Sequence, residues 1–173
     1  YSQEGESFRE AMARNASAVT EGDEEFYQKL RDILINQRFL MAGRNQMALG
    51  SARDTTPYNC FVSGTISDSY VDGGGSIMAR ATQAAATMRM GGGIGYDFSP
   101  LRPRGAEIKK LGSRSSGPVS FMAIFDAICR CTASSGHRRG AQMGVLRIDH
   151  PDIEEFIHAK QNLSNLTGNV SYT

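Results

Sequence analysis

The chain reads as an α/β protein with parallel strands behind a helical lead-in, and two patterns predict this. From residue 59 onward, short strand-like segments alternate with stretches of helical periodicity, the order that sets a crossover helix between neighbouring parallel strands. Before that point, residues 6–36 repeat apolar side chains at helical spacing. No internal repeat or low-complexity tract competes with this reading. Across 173 residues the 40% hydrophobic content is adequate for a core.

The lead-in carries Phe8, Met12, Val19, Phe26, Leu30, Ile33 and Leu34 on helical faces, broken near Gly22, which predicts two helices with Thr20 or Asp23 as the second N-cap. Phe39 to Thr56 loses periodicity and is rich in Gly, Ala, Arg and Asn, the composition of a loop around a ligand. Asn59 to Ile66 has strand propensity. A helix is expected from Ser69 to Met90, capped by Asp68 or Ser69, with an alanine-rich face suited to close packing. Ile94 to Phe98 is the next strand and Lys109 to Gly117 a Gly/Ser loop. Pro118 to Cys131 is a helix opened by proline. Ala133 to Gly140 is a second Gly/Arg loop, and Gly144 to Ile148 a third strand. Asp152 caps a short helix over Ile153 to Lys160, and Asn169 to Thr173 begins a strand that the chain does not finish.

A formal net charge of +1 gives no global pull toward nucleic acid or anionic membrane, so an anion site has to be local. Arg102 to Lys110 and Arg138–Arg139 are the basic clusters. With no apolar run of about 18 residues and no charged-then-apolar leader, the expectation is a cytoplasmic protein without a membrane span. Three cysteines, Cys60, Cys129 and Cys131, include no C-x-x-C pair. Cys129 and Cys131 lie about 200° apart on a helix and are expected to be small buried hydrophobes. His137 and His150 read as loop or capping residues, and no set of side chains predicts a metal.

Met88 to Gly105, MRMGGGIGYDFSPLRPRG, concentrates the chemistry. Gly91, Gly92 and Gly93 lack a Cβ and let backbone N–H groups approach a ligand, while Arg102 and Arg104 supply planar charged forks suited to phosphate. The spacing fits neither G-x-G-x-x-G nor a Walker loop, and a tight turn is the competing reading.

Four segments in order, PYNCFVSGTI, MRMGGGIGYDFSPLRPRG, SSGPVSFMAIFDA and SSGHRRGAQMGVLRIDHPDIEEFI, resemble landmarks of the ribonucleotide reductase large chain, most closely the adenosylcobalamin-dependent class II enzymes. The likeness covers roughly residues 38–173. It implies a helical segment over 1–37 and, over 38–173, the first part of a ten-stranded α/β barrel that is incomplete in this chain. The family's later N-P-C-G-E-like segment, with its radical cysteine, does not occur in this sequence. Catalysis would then need the C-terminal reductase polypeptide as partner.

The resemblance also implies roles. Cys60 matches the cysteine beneath the ribose that gives up reducing equivalents and pairs with a later, absent cysteine, to be restored by a thioredoxin-type dithiol. Ala42, Gly43, Arg44, Asn59, Gly92, Gly93 and Arg138 would meet the ribonucleotide substrate. Asp68 and Arg102 match the acid and arginine that bind a dNTP or ATP effector, with Lys109, Ser113, Ser115 and Ser116 in the first specificity loop. Ser134, Ser135, Gly136, His137, Arg138, Arg139, Gly140, Ala141 and Gln142 correspond to the second. Adenosylcobalamin is the implied cofactor, bound mainly outside this chain. The helices over Ser69 to Met90 and Pro118 to Cys131 resemble those of a homodimer interface. A non-catalytic nucleotide-binding module and a class I reductase fragment are the alternatives.

Overall fold

The computed structural model describes residues 2–132, 140–162 and 170–172. The chain divides into two units, Tyr1–Asn59 and Cys60–Thr173. In the first, helix α1 (Phe8–Thr20) begins where Ser7 and Glu10 close a capping box, each side chain accepting the other's backbone N–H. Helix α2 (Glu24–Ile35) is capped by Asp23, which accepts from the Phe26 N–H at 2.9 Å. Ala11, Met12, Ala16 and Leu34 form a small core between them, with Tyr27 and Leu30 packed against it.

A third helix, α3 (Gly43–Ala48), stands where a loop is expected. Its cause lies far away in sequence: the Arg14 guanidinium donates to the carbonyls of Gln46, at 3.2 Å, and Leu49, satisfying groups that the end of a short helix leaves open. Arg14 also pairs with Glu6 at 2.7 Å. That hydrogen bond holds the Glu6 carboxyl below its ordinary value, against the opposing effect of burial. A folded pKa below the unfolded one means stability that is fully present above the unfolded value, about 4.3, and is lost as pH falls through the folded one. Acid titration followed by helical ellipticity is therefore expected to show a shallower loss of the first unit's helices below that point in Glu6→Gln than in the parent. Superimposable acid limbs would count against the pair.

The second unit alternates strand and helix as expected. Its elements are β1 (Cys60–Thr65), α4 (Ile77–Arg89), β2 (Gly93–Asp97), β3 (Glu107–Ile108), β4 (Ser113–Arg114), α5 (Pro118–Cys131), β5 (Gln142–Val145), α6 (Ile153–Asn162) and β6 (Val170–Tyr172). Strands β1-β2-β5-β6 form one parallel sheet in that order, open rather than closed. Pairing of β1 with β2 is interrupted at Ser63, the extra residue of a bulge, where Gly64 takes φ +83°. Ser63 turns inward and donates to Gln83 of α4 at 2.8 Å.

Several boundaries differ from expectation. Helix α4 starts at Ile77, capped by Ser76 accepting from the Ala79 N–H at 3.3 Å, instead of at Ser69. The intervening Gly73 to Gly75 explain the delay, since glycine weakens a helix and Gly73 sits at φ +82°. Asp68 caps no helix. The expected loop over Lys109 to Gly117 contains half of a short antiparallel hairpin, β3 with β4, too brief to show alternation in sequence. Strand β5 starts at Gln142, ahead of Gly144, because the Gln142 side chain is satisfied inside: Tyr96 Oη donates to its Oε1 at 2.9 Å, and its Nε2 donates to the Phe125 carbonyl at 2.7 Å. Cys129 is buried as expected, but Cys131 is exposed.

One sheet face holds the core. Ile94, Tyr96 and Phe98 project toward α4 and α5, where Met88, Val119, Met122 and Phe125 meet them, and Phe156 and Ala159 of α6 join the same cluster.

Candidate active face and effector segment

Strand alternation decides what the other face carries. Since successive side chains point to opposite sides, the residues between the core positions stand together on the uncovered face: Cys60 and Val62 of β1, Gly93, Gly95 and Asp97 of β2, Met143 and Val145 of β5. Register sets Cys60 directly beside Gly93, and Gly95 between Val62 and Met143. Val62 is 89% exposed and Met143 40%. A parallel sheet is ordinarily covered on both faces. Here α4, α5 and α6 pack on one, and the other presents the Cys60 thiol beside Gly93 and Gly95, with Val62 and Met143 exposed around them.

The glycines of this stretch have different causes. A Cβ at Gly92 would lie 2.6 Å from the Phe61 ring and 3.1 Å from Thr87, so that glycine is explained by packing within the chain. A Cβ at Gly95 would meet only Met143 at 3.7 Å, an ordinary contact, so the chain's own packing does not require glycine there. Gly95 and Met143 were not singled out from sequence. The signal for Gly95 lies in G-I-G-Y-D, where glycines two apart on a strand share a face.

The two cysteines of opposite exposure differ in chemistry. Cys129 donates from Sγ to the Gly140 carbonyl at 3.2 Å, and burial pushes its thiol upward, with nearby Asp126 adding to the shift. It stays a thiol. Burial likewise pushes the Tyr96 hydroxyl far up, keeping it a donor to Gln142. Cys60, by contrast, is exposed on the open face.

Asp68 and Arg102 come together at the end of β1. Arg102 Nε donates to Asp68 Oδ2 at 2.7 Å, its backbone N–H reaches Oδ1 at 3.2 Å, and Nη1 donates to the Glu107 carbonyl at 3.1 Å. A guanidinium has five donors. Three side-chain N–H groups of Arg102 take no part in these bonds, so an anion can be met without breaking the pair. Ser115 is buried beneath, donating to the Arg102 carbonyl at 3.4 Å and accepting from the Gly117 N–H at 3.1 Å. Ser113, Ser116 and Lys109 are exposed on or beside the hairpin.

The ribonucleotide reductase barrel-domain family matches residues 58–171, nearly all of the sheet unit with its open face. The chain belongs to that family. Among its relatives, the vitamin B12-dependent ribonucleoside-diphosphate reductase of Mycobacterium tuberculosis (strain ATCC 25618 / H37Rv) is 37% identical over 163 residues, 90% of this chain and 22% of that protein. The reductase of the same name from Thermoplasma acidophilum is 40% identical over 112 residues, 65% of this chain and 14% of that one. A solved structure, the Actinobacillus ureae class Id ribonucleotide reductase alpha subunit, superimposes with a TM-score of 0.80 at 25% identity, covering 99% of this chain and 30% of that one. The chain thus spans between 14% and 30% of the length of these relatives. Its open sheet is part of a reductase barrel.

The remaining predicted residues of this reductase chain are placed as follows. Ala42 is the N-cap of α3, without a side-chain cap, and Gly43 and Arg44 open that helix. Arg44 donates to Thr55 at 3.3 Å. Asn59 is exposed immediately before β1. Gly140 is buried, and a Cβ there would lie 2.7 Å from Met88 Sδ; Ala141 is exposed and Gln142 belongs to the strand. Ser134, Ser135, Gly136, His137, Arg138 and Arg139 lie outside the described residues. Among the described residues, no group of three or more His, Cys, Asp or Glu could hold a metal ion, and no helix is long and apolar enough to cross a membrane.

Proposed function

We propose that this chain is the part of a ribonucleotide reductase that supplies one redox cysteine, the substrate floor and the effector site. The observation that carries the reading is the register pairing of exposed Cys60 with Gly93 on the uncovered sheet face. A ribose over Gly93 and Gly95 would bring its 2′ position to Cys60. Reduction replaces a C–OH bond by C–H and releases the hydroxyl as water, and two thiols becoming one disulfide supply the two electrons and two protons. Cys60 provides one thiol; the other, and the radical cysteine, belong to the rest of the barrel. A thioredoxin-type dithiol then resets Cys60 by exchange.

The relatives' names support adenosylcobalamin as cofactor, and it would supply the radical that starts the reaction. In this reading its binding falls mainly to the rest of the barrel, and Cys60 and its face are this chain's contribution. Asp68, Arg102, Lys109, Ser113, Ser115 and Ser116 would bind a dNTP or ATP effector, and Ser134 to Gln142 would carry its influence to the substrate base, with Ala42 to Arg44, Asn59 and Arg138 contacting substrate. Residues 1–37 would act as a helical lead-in to the barrel part at 38–173, the whole working in the cytoplasm, with homodimerisation through α4 and α5.

Co-expression with a polypeptide carrying the remaining barrel of a B12-dependent reductase tests the reading. Neither piece alone should form deoxyribonucleotide, and the assembled pair should do so with adenosylcobalamin and thioredoxin. A stoichiometric complex that binds nucleotide yet reduces none would favour a non-catalytic nucleotide-binding module.

A further inference from the structure

We infer that Arg104, His150, Asp152 and Glu155 are positioning residues for the effector segment, clamping Leu101 to Gly105 onto the start of α6 so that Arg102 is presented in one orientation. The inference rests on the reading of Asp68 and Arg102 as effector ligands. It starts from Pro103, whose ring fixes φ and removes a donor between two arginines. On either side of it the backbone N–H groups go to carboxylates in opposite directions, that of Arg102 to Asp68 and that of Arg104 to Asp152 Oδ2 at 2.8 Å. The side chains diverge in the same way. Arg102 turns to Asp68, while Arg104 makes a bidentate pair with Glu155 of α6 through Nε, at 3.0 Å, and Nη2.

His150 closes the clamp from below. It is 7% exposed, with Nε2 at 2.9 Å from the Leu101 carbonyl and Nδ1 accepting from the Asp152 N–H at 3.1 Å, a pair of bonds that suits the neutral ring protonated on Nε2. Asp152 is therefore held at its N–H by His150 while its carboxylate holds the Arg104 N–H. Gly117 shows how tight the arrangement is. It sits at φ +82°, and a Cβ there would lie 2.8 Å from Asp152 Oδ2 and 3.1 Å from the Arg104 nitrogen. The segment is thus fixed from both sides, and the start of α5 passes directly beneath it.

The Arg104–Glu155 pair is largely exposed, at 56% and 36%, and such pairs contribute little to stability. Its geometric effect is larger, since a two-point fork fixes direction as well as distance. Loss of the clamp should therefore show in ligand affinity more than in melting. The test is calorimetric titration of dATP, dTTP and dGTP into the full chain and its variants. Asp68→Asn and Arg102→Gln should weaken binding most. Glu155→Gln and Arg104→Lys, which keeps the charge and loses the fork, should each weaken it by about 3- to 10-fold with the melting temperature nearly unmoved. If Asp68→Asn and Arg102→Gln weaken binding while Glu155→Gln and Arg104→Lys do not, the clamp is wrong and the effector site stands. Losses that simply track a fall in melting temperature also overturn it. If the parent binds none of the three, or Asp68→Asn and Arg102→Gln bind as the parent does, the effector reading fails and the clamp with it.

Discussion

Cys60→Ser is expected to abolish dithiol-driven turnover in the assembled reductase, by on the order of 10³-fold or more, while leaving the fold intact. The two halves of that expectation come from different features of one position. Cys60 is exposed at the first residue of β1, so exchanging sulfur for oxygen there removes no core packing and should move stability by less than about 0.5 kcal/mol. A serine hydroxyl, however, cannot form a disulfide, so the two electrons that replace the 2′-hydroxyl by hydrogen have no source on this face. Steady-state product formation with a thioredoxin system measures the effect, and effector titration reports whether the Asp68–Arg102 segment is undisturbed. Repeated turnover by Cys60→Ser would remove Cys60 from the redox pair. The same substitution at Cys129 gives the contrast: that thiol is buried on α5 and donates to the Gly140 carbonyl, so its loss should register in stability before activity.

What could be read from sequence, and what could not, follows the range of the interactions involved. The alternation of β1, α4, β2, α5, β5 and α6 was legible because hydrophobic period is a local signal, and so was Asp23 as a cap. Helix α3 was not, because its carbonyls are satisfied by Arg14 from more than thirty residues away. The start of β5 was misplaced for a related reason: Gln142 looks like a loop residue until Tyr96 and the Phe125 carbonyl supply its partners. In the candidate site, motif resemblance singled out Cys60 and Gly93, and strand register sets them side by side. It gave Gly92 the same role, although Phe61 and Thr87 account for that glycine, and it passed over Gly95, whose face depends on counting along the strand. The arginines were legible as charge but not as geometry. Only the fold reveals that Arg102 and Arg104, one proline apart, are drawn to opposite partners.

Phe125→Ala should be the most destabilising single change in the sheet unit, at about 3–5 kcal/mol. The ring is 2% exposed and is the hub of an aromatic group, tilted against Tyr96 at 4.6 Å between centroids and edge-on to Phe98 at 5.4 Å. Truncation removes the transfer energy of a phenyl group and the ring contacts with Tyr96 and Phe98, and neither of these can fill the space: the first is tethered through its hydroxyl to Gln142 and the second leads directly into the turn at Ser99. Against a total stability that is typically about 5–15 kcal/mol, the loss should lower the melting temperature by on the order of 10–20 °C. Ile157→Ala on α6, at 60% exposure, is the control and should stay within about 0.5 kcal/mol. A cost below about 1 kcal/mol for Phe125→Ala would mean that the helices are not packed on the sheet as described. The consequence reaches the open face, because Ile94 and Tyr96 of β2 alternate with Gly93 and Gly95. Loss of the Tyr96–Phe125 contact loosens the support of the strand whose other side carries Gly93 and Gly95 beside Cys60, so substrate affinity in an assembled reductase is expected to fall even at temperatures where Phe125→Ala remains folded.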